Sequence, residues 1–309
     1  MIPTVTVIMP AYNVASFIGE AIESVLAQTL AEWTLVVVDD GSTDATPDVV
    51  IGYADARISL LTVEHSGLPA VARNHGLASS DSRYVALLDG DDLWRPQKLE
   101  RQLALIESRP EVGLVHTGFE QLRDGVLEPY VLPPGVPGSG SQFERLAAGN
   151  DIANSSVLLR RELLTRHGFF DEDPRLRGTE DFELWMRLSP HTTFARIDEP
   201  LLVYRIHPAN LGQGEQMGLG YVAAMEKMEQ LHPDLVAGLG PPYWRMLGYH
   251  RVHSGVEDRG RRELLRVLRR HPRDRFAWRL LAHSFLHAGF ERKHGGIRAW
   301  IRRQLRPDA

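Results

Sequence analysis

Acidic side chains gather at two points of the sequence, each directly after an apolar run. Asp39 and Asp40 follow TLVVV, and Asp89, Asp91 and Asp92 follow YVALL. An Asp-x-Asp pair at a strand end places two carboxylates on one side of the chain, where they repel unless water, hydrogen bonds or a cation offset their charge. Their oxygens suit Mg²⁺ or Mn²⁺, which also bind substrate phosphates. Asp89 and Asp91 are therefore candidates for a site that binds a metal ion and a diphosphate.

A structural interpretation of these clusters also stands. Asp and Gly favour turns, so DGDD taken alone is better explained as a turn followed by helix-capping acids. In DDGSTD, a turn at Asp40-Gly41 and a helix cap within Ser42–Asp44 explain the second half of the motif. They do not explain Asp39, whose carboxylate at the strand end can accept hydrogen bonds from a planar ring such as a nucleobase.

A third acidic pair, Glu180-Asp181, follows Gly178-Thr179 at the predicted start of a helix. Acids are favourable at a helix N-terminus, and a general base beside a bound electrophile is the functional alternative. His207 follows the apolar LLVYRI and is equally compatible with a loop histidine and with a ligand of a metal or phosphate.

The elements around these residues alternate between strand and helix as far as Phe119, which predicts a parallel sheet covered by helices on both faces. Ligands bind such sheets at the carboxyl ends of the strands, where both aspartate clusters fall. Gly and Pro then dominate Val131–Gln142, predicted to be a mobile loop and an acceptor-side lid. Regular structure resumes with a strand and a helix in ANSSVLLRRELLTRHG, and TFARI and PLLVYRIH are predicted to be two closing strands.

Composition excludes several classes of protein. The 309 residues lack cysteine, which excludes disulfides and thiolate metal sites and fits a reducing cytoplasm. Neither a membrane-spanning helix nor a signal peptide is expected, because no apolar run is long enough and no basic residues precede the first one.

The charge is divided unevenly along the chain. The net charge is −5, yet residues 251–309 hold sixteen Lys and Arg against six Asp and Glu. We predict two parts, an α/β domain over residues 1–212 and a basic helical region over 213–309 that contacts acceptor, membrane surface or another subunit. In its last helix, GIRAWIRRQLR, the apolar Ile297, Trp300, Ile301 and Leu305 oppose arginines. That pattern fits a helix lying on an anionic membrane and, slightly better, a packed terminal helix. No nucleic-acid-binding motif accompanies the arginines.

Seven motifs together resemble those of family-2 glycosyltransferases of the GT-A fold, in the same order, over about Thr4 to Leu211. They are VTVIMPAYN, VVVDDGSTDAT, AVARNHGL, YVALLDGDDLW, SSVLLRRELLTRHGFFDE, GTEDFELWMRL and YRIHPAN. The resemblance implies a Rossmann-like, mostly parallel sheet flanked by helices.

The resemblance also implies roles for individual residues. Asp181 would be the catalytic base with Glu180 supporting it, Asp39 would bind the base of a nucleotide, and Arg73 would lie near base and diphosphate. Asp89 and Asp91 would bind the metal, Asp91 more directly, and His207 would approach the diphosphate or metal. The implied nucleotide-binding set is Pro10, Ala11, Tyr12, Asn13, Asp39, Asp40, Arg73, Asp89, Gly90 and Asp91.

The implied activity is inverting, with Mn²⁺ or Mg²⁺ and a nucleotide-diphosphate sugar as donor. UDP is the best single expectation, and GDP and dTDP stay open. The acceptor would be a glycan, lipid-linked or small-molecule hydroxyl in cell-surface polysaccharide or glycoconjugate synthesis. Because ELWMRL lacks the Gln-x-x-Arg-Trp motif of processive synthases, we expect transfer of single sugars. We expect the protein to be cytoplasmic, or peripherally bound to the cytoplasmic face of the membrane. The alternatives are a non-catalytic sugar-nucleotide or glycan-binding module and a haloacid-dehalogenase-like phosphohydrolase. The DDGST of this chain matches the Asp-x-Asp-Gly-Thr nucleophile loop of such phosphohydrolases poorly.

Overall fold

A computed structural model gives the fold of most of the chain. The described residues are 4–130, 141–208, 210–211, 215–253 and 257–286. The terminal amphipathic helix lies outside them, as does the predicted lid except for its last two residues, and the roles given to these segments stay predictions. Of those two residues, Ser141 caps a helix and Gln142 begins it.

The described residues contain nine strands joined in one sheet. Successive apolar residues of the early strands alternate between its two faces, so that Leu35 and Val37 join one core and Val36 and Val38 the other. The strands are β1 (Val5–Ala11), β2 (Trp33–Asp39), β3 (Ile58–Thr62), β4 (Tyr84–Leu87), β5 (Leu93–Trp94), β6 (Val112–Arg123), β7 (Val126–Pro129), β8 (Leu158–Arg160) and β9 (Thr193–Ile206).

The sheet has a parallel half and a mixed half. Strands β3, β2, β1 and β4 lie side by side in that order, all parallel. Next to β4 comes β8, which is antiparallel both to β4 and to β6 on its other side. Beyond it β9 runs parallel to β6, and the short β5 and β7 pair antiparallel with β9 and β6. The predicted alternation of strands and helices is confirmed, with the antiparallel β8 dividing the sheet.

The two predicted closing strands are one strand, β9. Its pairing with β6 is irregular around Gly118, where a Cβ would lie 2.5 Å from the carbonyl oxygen of Asp198. The chain bulges there because Asp198-Glu199-Pro200 interrupts the ladder, and Pro200 has no N–H to donate. Polar residues and a proline in the middle made one bulged strand look like two.

Helices cover both faces of this sheet. Apolar residues of α1, α2 and α4 fill one core, and those of α3 and α5–α8 fill the other together with later helices. The helices are α1 (Ile18–Leu26), α2 (Thr46–Ile51), α3 (Pro69–Ala78), α4 (Lys98–Ser108), α5 (Gln142–Ala148), α6 (Arg161–His167), α7 (Glu180–Leu188), α8 (Glu215–Leu231), α9 (Pro233–Gly238), α10 (Pro241–His253), α11 (Glu257–Arg270) and α12 (Arg275–Leu286).

Helix α3 lies unusually close to the sheet. A Cβ at Gly76 would lie 2.9 Å from Cγ2 of Ile8 and 3.0 Å from Cγ2 of Val38, so the helix approaches β1 and β2 at a distance that only glycine allows. Arg73 stands one turn earlier on α3 and is held deep in the protein as a result.

The helices from α8 onward pack on α5, α7 and one another. A Cβ at Gly220 of α8 would lie 2.2 Å from Oγ1 of Thr179, so α8 presses on the residue that precedes α7. The predicted domain boundary falls outside the described residues, and the division at residue 212 stays a prediction. Among the described helices, none has the length and apolar character needed to cross a bilayer.

Candidate active site

A cavity of about 750 Å³ opens at the carboxyl ends of β1, β2 and β4. Most of the residues that the sequence singled out line it, and they come from separate parts of the chain. They are Pro10, Ala11, Tyr12, Asn13, Asp40, Arg73, Asp89, Gly90, Asp91, Glu180, Asp181 and His207. The fold therefore brings the three acidic clusters together, as expected for a parallel sheet.

The loop after β1 is tied to the loop after β2 through Asn13. This residue adopts a left-handed conformation with φ 52°, which Asn tolerates better than most residues. Its side-chain oxygen accepts a 2.8 Å hydrogen bond from the Thr43 amide, and its own amide donates to Oγ of Ser42 at 2.9 Å. These bonds fix the wall of the cavity that Pro10 and Ala11 continue.

Tyr12 and His65 form a flat aromatic surface at the cavity wall. Tyr12 is 43% exposed, and its ring stacks on His65 with centroids 4.2 Å apart and 20° between the planes. Nδ1 of His65 lies 2.7 Å from the carbonyl oxygen of Asp40, which holds the imidazole in place. A planar heterocycle can stack on such a surface.

The two carboxylates after β2 face different surroundings. Asp40 accepts hydrogen bonds of 2.9 Å from the amides of Ser66 and Gly67, and so fixes the loop that precedes α3. Asp39 is only 1% exposed, is absent from the cavity lining, and accepts 3.3 Å contacts from the Ser42 amide. Its proposed contact with a nucleobase stays a prediction.

Arg73 links two of the acidic clusters. Its Nη1 donates to Oε1 of Glu180 at 2.6 Å, and its Nη2 donates to Oδ1 of Asp89 at 2.8 Å. Burial would lower the pKa of Arg73, but the two carboxylates more than offset that effect and raise it. A permanently charged guanidinium thus fixes the distance between the loop after β4 and the start of α7.

Asp91 meets the chain that follows β9. Its Oδ2 lies 2.9 Å from Nε2 of His207 and accepts a 3.3 Å hydrogen bond from the Asn210 side chain. The His207 ring also stacks on Phe17, with centroids 4.7 Å apart. Burial and the charge of Asp89 raise the pKa of Asp91. A carboxylate held beside another negative charge in this way is a favourable ligand for a cation.

Arg205 supports this loop and was missed by the sequence analysis. Its amide donates to Oδ1 of Asp92 at 2.9 Å, its Nε donates to the carbonyl oxygen of Asp91 at 2.9 Å, and its Nη2 donates to Glu20 at 2.8 Å. Asp92 is buried, so its carboxylate supports the loop from within the protein. Only the fold shows this, because the partners are more than 100 residues apart in the chain.

Glu180 and Asp181 take different positions at the start of α7. Glu180 is buried and fully engaged, since Oε1 binds Arg73 and Oε2 accepts a 2.7 Å hydrogen bond from the Gly178 amide. Asp181 is partly exposed on the cavity wall. Burial of its carboxyl group and the neighbouring Glu180 charge raise the pKa of Asp181 to about 7, against the opposing charge of Arg73. Of the two acids, Asp181 is therefore the one placed to exchange a proton with a bound molecule.

Comparison with known proteins decides the family. The family model for "Glycosyl transferase family 2" matches residues 6–168, more than half of the chain. The chain belongs to glycosyl transferase family 2. The sequence is also 32% identical over 195 residues to the Escherichia coli UDP-Glc:alpha-D-GlcNAc-diphosphoundecaprenol beta-1,3-glucosyltransferase WfgD, covering 63% of this chain and 73% of WfgD.

Solved structures share the fold of this family-2 glycosyltransferase. S. aureus TarS 1-349 in complex with UDP-GlcNAc superposes with a TM-score of 0.61 at 18% identity, covering 91% of this chain and 89% of that one. The mannosyltransferase PcManGT from Pyrobaculum calidifontis, in complex with GDP-Man and Mn²⁺, gives 0.58 at 22% identity, covering 92% and 80%. The chain spans 55% of the longer TarS chain that it also matches. The predicted GT-A fold and transferase class are confirmed, and the phosphohydrolase and non-catalytic alternatives are set aside.

The transferase has donor atoms that fit a divalent cation. Within the described ranges, no three His, Cys, Asp or Glu side chains form a ready-made metal centre. The contacts of Asp89 with Arg73 and Asn154 use Oδ1, and those of Asp91 with His207 and Asn210 use Oδ2. One oxygen of each carboxylate carries none of these contacts. Two hard oxygens, completed by water and substrate phosphate, are a donor set that Mg²⁺ and Mn²⁺ accept.

The far half of the transferase cavity was not predicted. It is lined by aromatic rings and by polar residues of the segment before β8. In the described part of the chain, Oδ1 of Asp151 and Oδ1 of Asn154 are buried without a hydrogen-bond partner. The polar stretch GNDIAN ahead of a buried strand was the available signal. The aromatic residues are Phe119, Tyr130, Tyr204 and Tyr221.

The raised pKa of Asp181 predicts how transfer depends on pH. The family resemblance implies that Asp181 is the catalytic base, and a base acts only in its charged form, so we expect activity to rise as pH increases through about 7 and to fall below it. We expect kcat/KM, measured with saturating donor and metal, to lose about tenfold per pH unit on the acidic side. An activity that stays flat between about pH 5.5 and 8.5 would contradict the assignment of Asp181 as the base.

Proposed function

We propose that this enzyme is an inverting, metal-dependent glycosyltransferase that moves a single sugar from a nucleotide-diphosphate donor to an acceptor hydroxyl. The observation that carries the proposal is the buried bridge through Arg73. It holds Asp89, at one side of the cavity, in fixed relation to Glu180 and the adjacent Asp181. Asp89, proposed to bind the metal and diphosphate, and Asp181, proposed to take the proton, are thereby held at the same cavity.

The donor belongs in the half of the cavity formed by the loops after β1 and β2. The Tyr12–His65 surface would receive the nucleobase, and Asp89 and Asp91 would hold Mn²⁺ or Mg²⁺ against the diphosphate. Such a cation would neutralise charge that grows on the leaving group. The name of WfgD includes UDP-Glc, TarS 1-349 was solved in complex with UDP-GlcNAc, and PcManGT was solved in complex with GDP-Man and Mn²⁺. We favour a UDP-sugar.

The proposed step is a direct displacement at the anomeric carbon. The acceptor oxygen forms the new glycosidic bond from the face opposite the leaving group, and the bond to the diphosphate oxygen breaks with its electron pair. Asp181 accepts the hydroxyl proton as that oxygen attacks, and Glu180 keeps its position through Arg73 and Gly178. Attack from the opposite face inverts the anomeric configuration.

The acceptor belongs in the far half of the cavity. The rings of Phe119 and Tyr130 stack with centroids 4.1 Å apart and offer an apolar surface to the C–H face of a sugar. The oxygens of Asp151 and Asn154 are acceptors for sugar hydroxyls. We therefore propose a sugar-bearing acceptor, either a glycan or a lipid-linked saccharide, as the name of WfgD also states for that protein. A cytoplasmic location, peripheral to the membrane, is part of the proposal.

Metal removal gives the test of this function. We expect incubation of the purified enzyme with a panel of UDP-, GDP- and dTDP-sugars to release nucleotide only when Mn²⁺ or Mg²⁺ is present. EDTA should abolish release, and excess Mn²⁺ should restore it. Thermal shift with each nucleotide, with and without metal, identifies the donor independently of turnover. Full activity in EDTA, after dialysis against the chelator, would refute the metal-dependent mechanism.

A further inference from the structure

The end of α11, the following loop and the first turn of α12 form a basic surface. Along residues 269–279, six basic side chains are exposed, and the sole carboxylate, Asp274, is partly buried. Asp274 is also already occupied, since it accepts a 2.9 Å hydrogen bond from Arg245 and another from the Ala277 amide. The six basic residues are Arg269, Arg270, His271, Arg273, Arg275 and Arg279.

Two large aromatic side chains stand exposed among these arginines. Phe276 is 55% exposed and Trp278 is 48% exposed, on either side of the fully buried Ala277 that anchors α12. The indole N–H of Trp278 donates to the carbonyl oxygen of Pro272 at 2.9 Å, which fixes the ring beside the loop. Neighbouring exposed aromatic side chains rimmed by charged residues are a common feature of contact surfaces.

A depression lies within the same surface. It is lined by Pro241 of α10, by Arg270 at the end of α11 and by the loop residues 271–274, so two guanidinium groups and an imidazole border it. Planar guanidinium groups bind phosphate through paired hydrogen bonds. The surface thus offers phosphate ligands and apolar rings side by side.

We infer that residues 269–279, the basic–aromatic patch, bind the surface of an anionic membrane. Tryptophan and phenylalanine partition into the interface between headgroups and acyl chains, and arginines attract and bind the phosphates around them. Charge attraction and apolar insertion are two separate signals, and stable reversible membrane attachment needs both. A nucleic acid would also meet the arginines, but no nucleic-acid-binding motif accompanies them in the sequence, and the exposed aromatic rings among them suit the membrane interface.

This inference rests on the proposed function only for its purpose, which is to bring the cavity to a membrane-borne acceptor. Binding itself is measured without substrate. A protein that transfers sugar but does not bind membranes would contradict the membrane-binding inference and leave the proposed function intact. A protein that binds membranes but transfers no sugar would do the reverse.

Vesicle sedimentation tests the patch. We expect the full chain to pellet with vesicles of phosphatidylcholine and phosphatidylglycerol at about 7:3. The pelleted fraction should be at least about tenfold lower with phosphatidylcholine alone, and high salt should reduce this difference. Two double variants, Arg270→Glu/Arg273→Glu and Phe276→Ser/Trp278→Ser, should each weaken binding at least about tenfold.

A matched control separates the patch from net charge. Arg83→Glu/Arg109→Glu makes the same charge change at exposed arginines of the α/β part, and should bind as the unaltered protein does. Circular dichroism and thermal melting establish that each variant is folded. Equal binding by patch and control variants would overturn the inference, as would binding of a short oligonucleotide by the full chain together with no binding to either kind of vesicle.

Discussion

We expect Asp181→Asn to lower the rate of sugar transfer by ~10²–10⁴-fold and to leave donor binding unchanged. The substitution keeps the size of the side chain and removes its ability to take a proton. Asp181 lies on the cavity wall with its pKa raised to about 7, so the carboxylate is a stronger base than an ordinary aspartate. The effect should appear in kcat and in the loss of the acidic limb of the pH profile.

The control for this variant is a carboxylate that does not line the cavity. Asp198 has a side chain that is 95% exposed, and Asp198→Asn should leave turnover unchanged. Thermal shift with donor nucleotide and Mn²⁺ should give the same stabilisation for Asp181→Asn as for the unaltered enzyme. Near-normal turnover of Asp181→Asn would show that another group takes the proton.

Replacing Arg73 with Met should damage both stability and activity. The guanidinium lies buried between Asp89 and Glu180, and removing one partner of a buried ionic network typically costs about 3–5 kcal/mol because the remaining charges stay uncompensated. We expect that loss in the free energy of unfolding by urea at pH 7. Because Arg73 also opposes the rise in the pKa of Asp181, the acidic limb of the activity profile should shift to higher pH.

Arg73→Lys is the informative comparison. An ammonium keeps the charge but reaches only one of the two carboxylates with good geometry. We expect an intermediate loss of stability and a smaller shift of the pH profile than in Arg73→Met. If the free energy of unfolding of Arg73→Met lies within about 1 kcal/mol of that of the unaltered protein, the bridge does not hold the site together.

Local sequence patterns predicted the elements and the clustering of acids because both depend on short-range signals. The apolar run before Asp89 identifies β4, and the carboxyl edge of a parallel sheet then gathers side chains from distant motifs. The resemblance to family-2 transferases pointed to Arg73 and Asp181, whose residue types alone carry no such information. The residues that line the cavity were thus predictable where they follow a strand end or belong to a motif.

Other features depend on contacts that no local pattern encodes. The bond of Arg205 to the Asp91 carbonyl and the opposed positions of Asp39 and Asp40 require the folded backbone. The antiparallel β8 looks like any short apolar strand, because strand direction is set by the path of the preceding chain. Asp151, which lines the cavity, was not predicted for a different reason: polar residues in a loop are ordinary, so the GNDIAN stretch ahead of β8 was a weak signal.

The close contact between α8 and Thr179 has a consequence for engineering this enzyme. Helix α8 contributes Met217 and Tyr221 to the cavity wall, so residues beyond 215 help shape the space around the reacting groups. Grafting the α8–α12 segment of a relative onto this sheet should therefore retune which acceptors are accommodated, leaving donor preference with the first half of the chain.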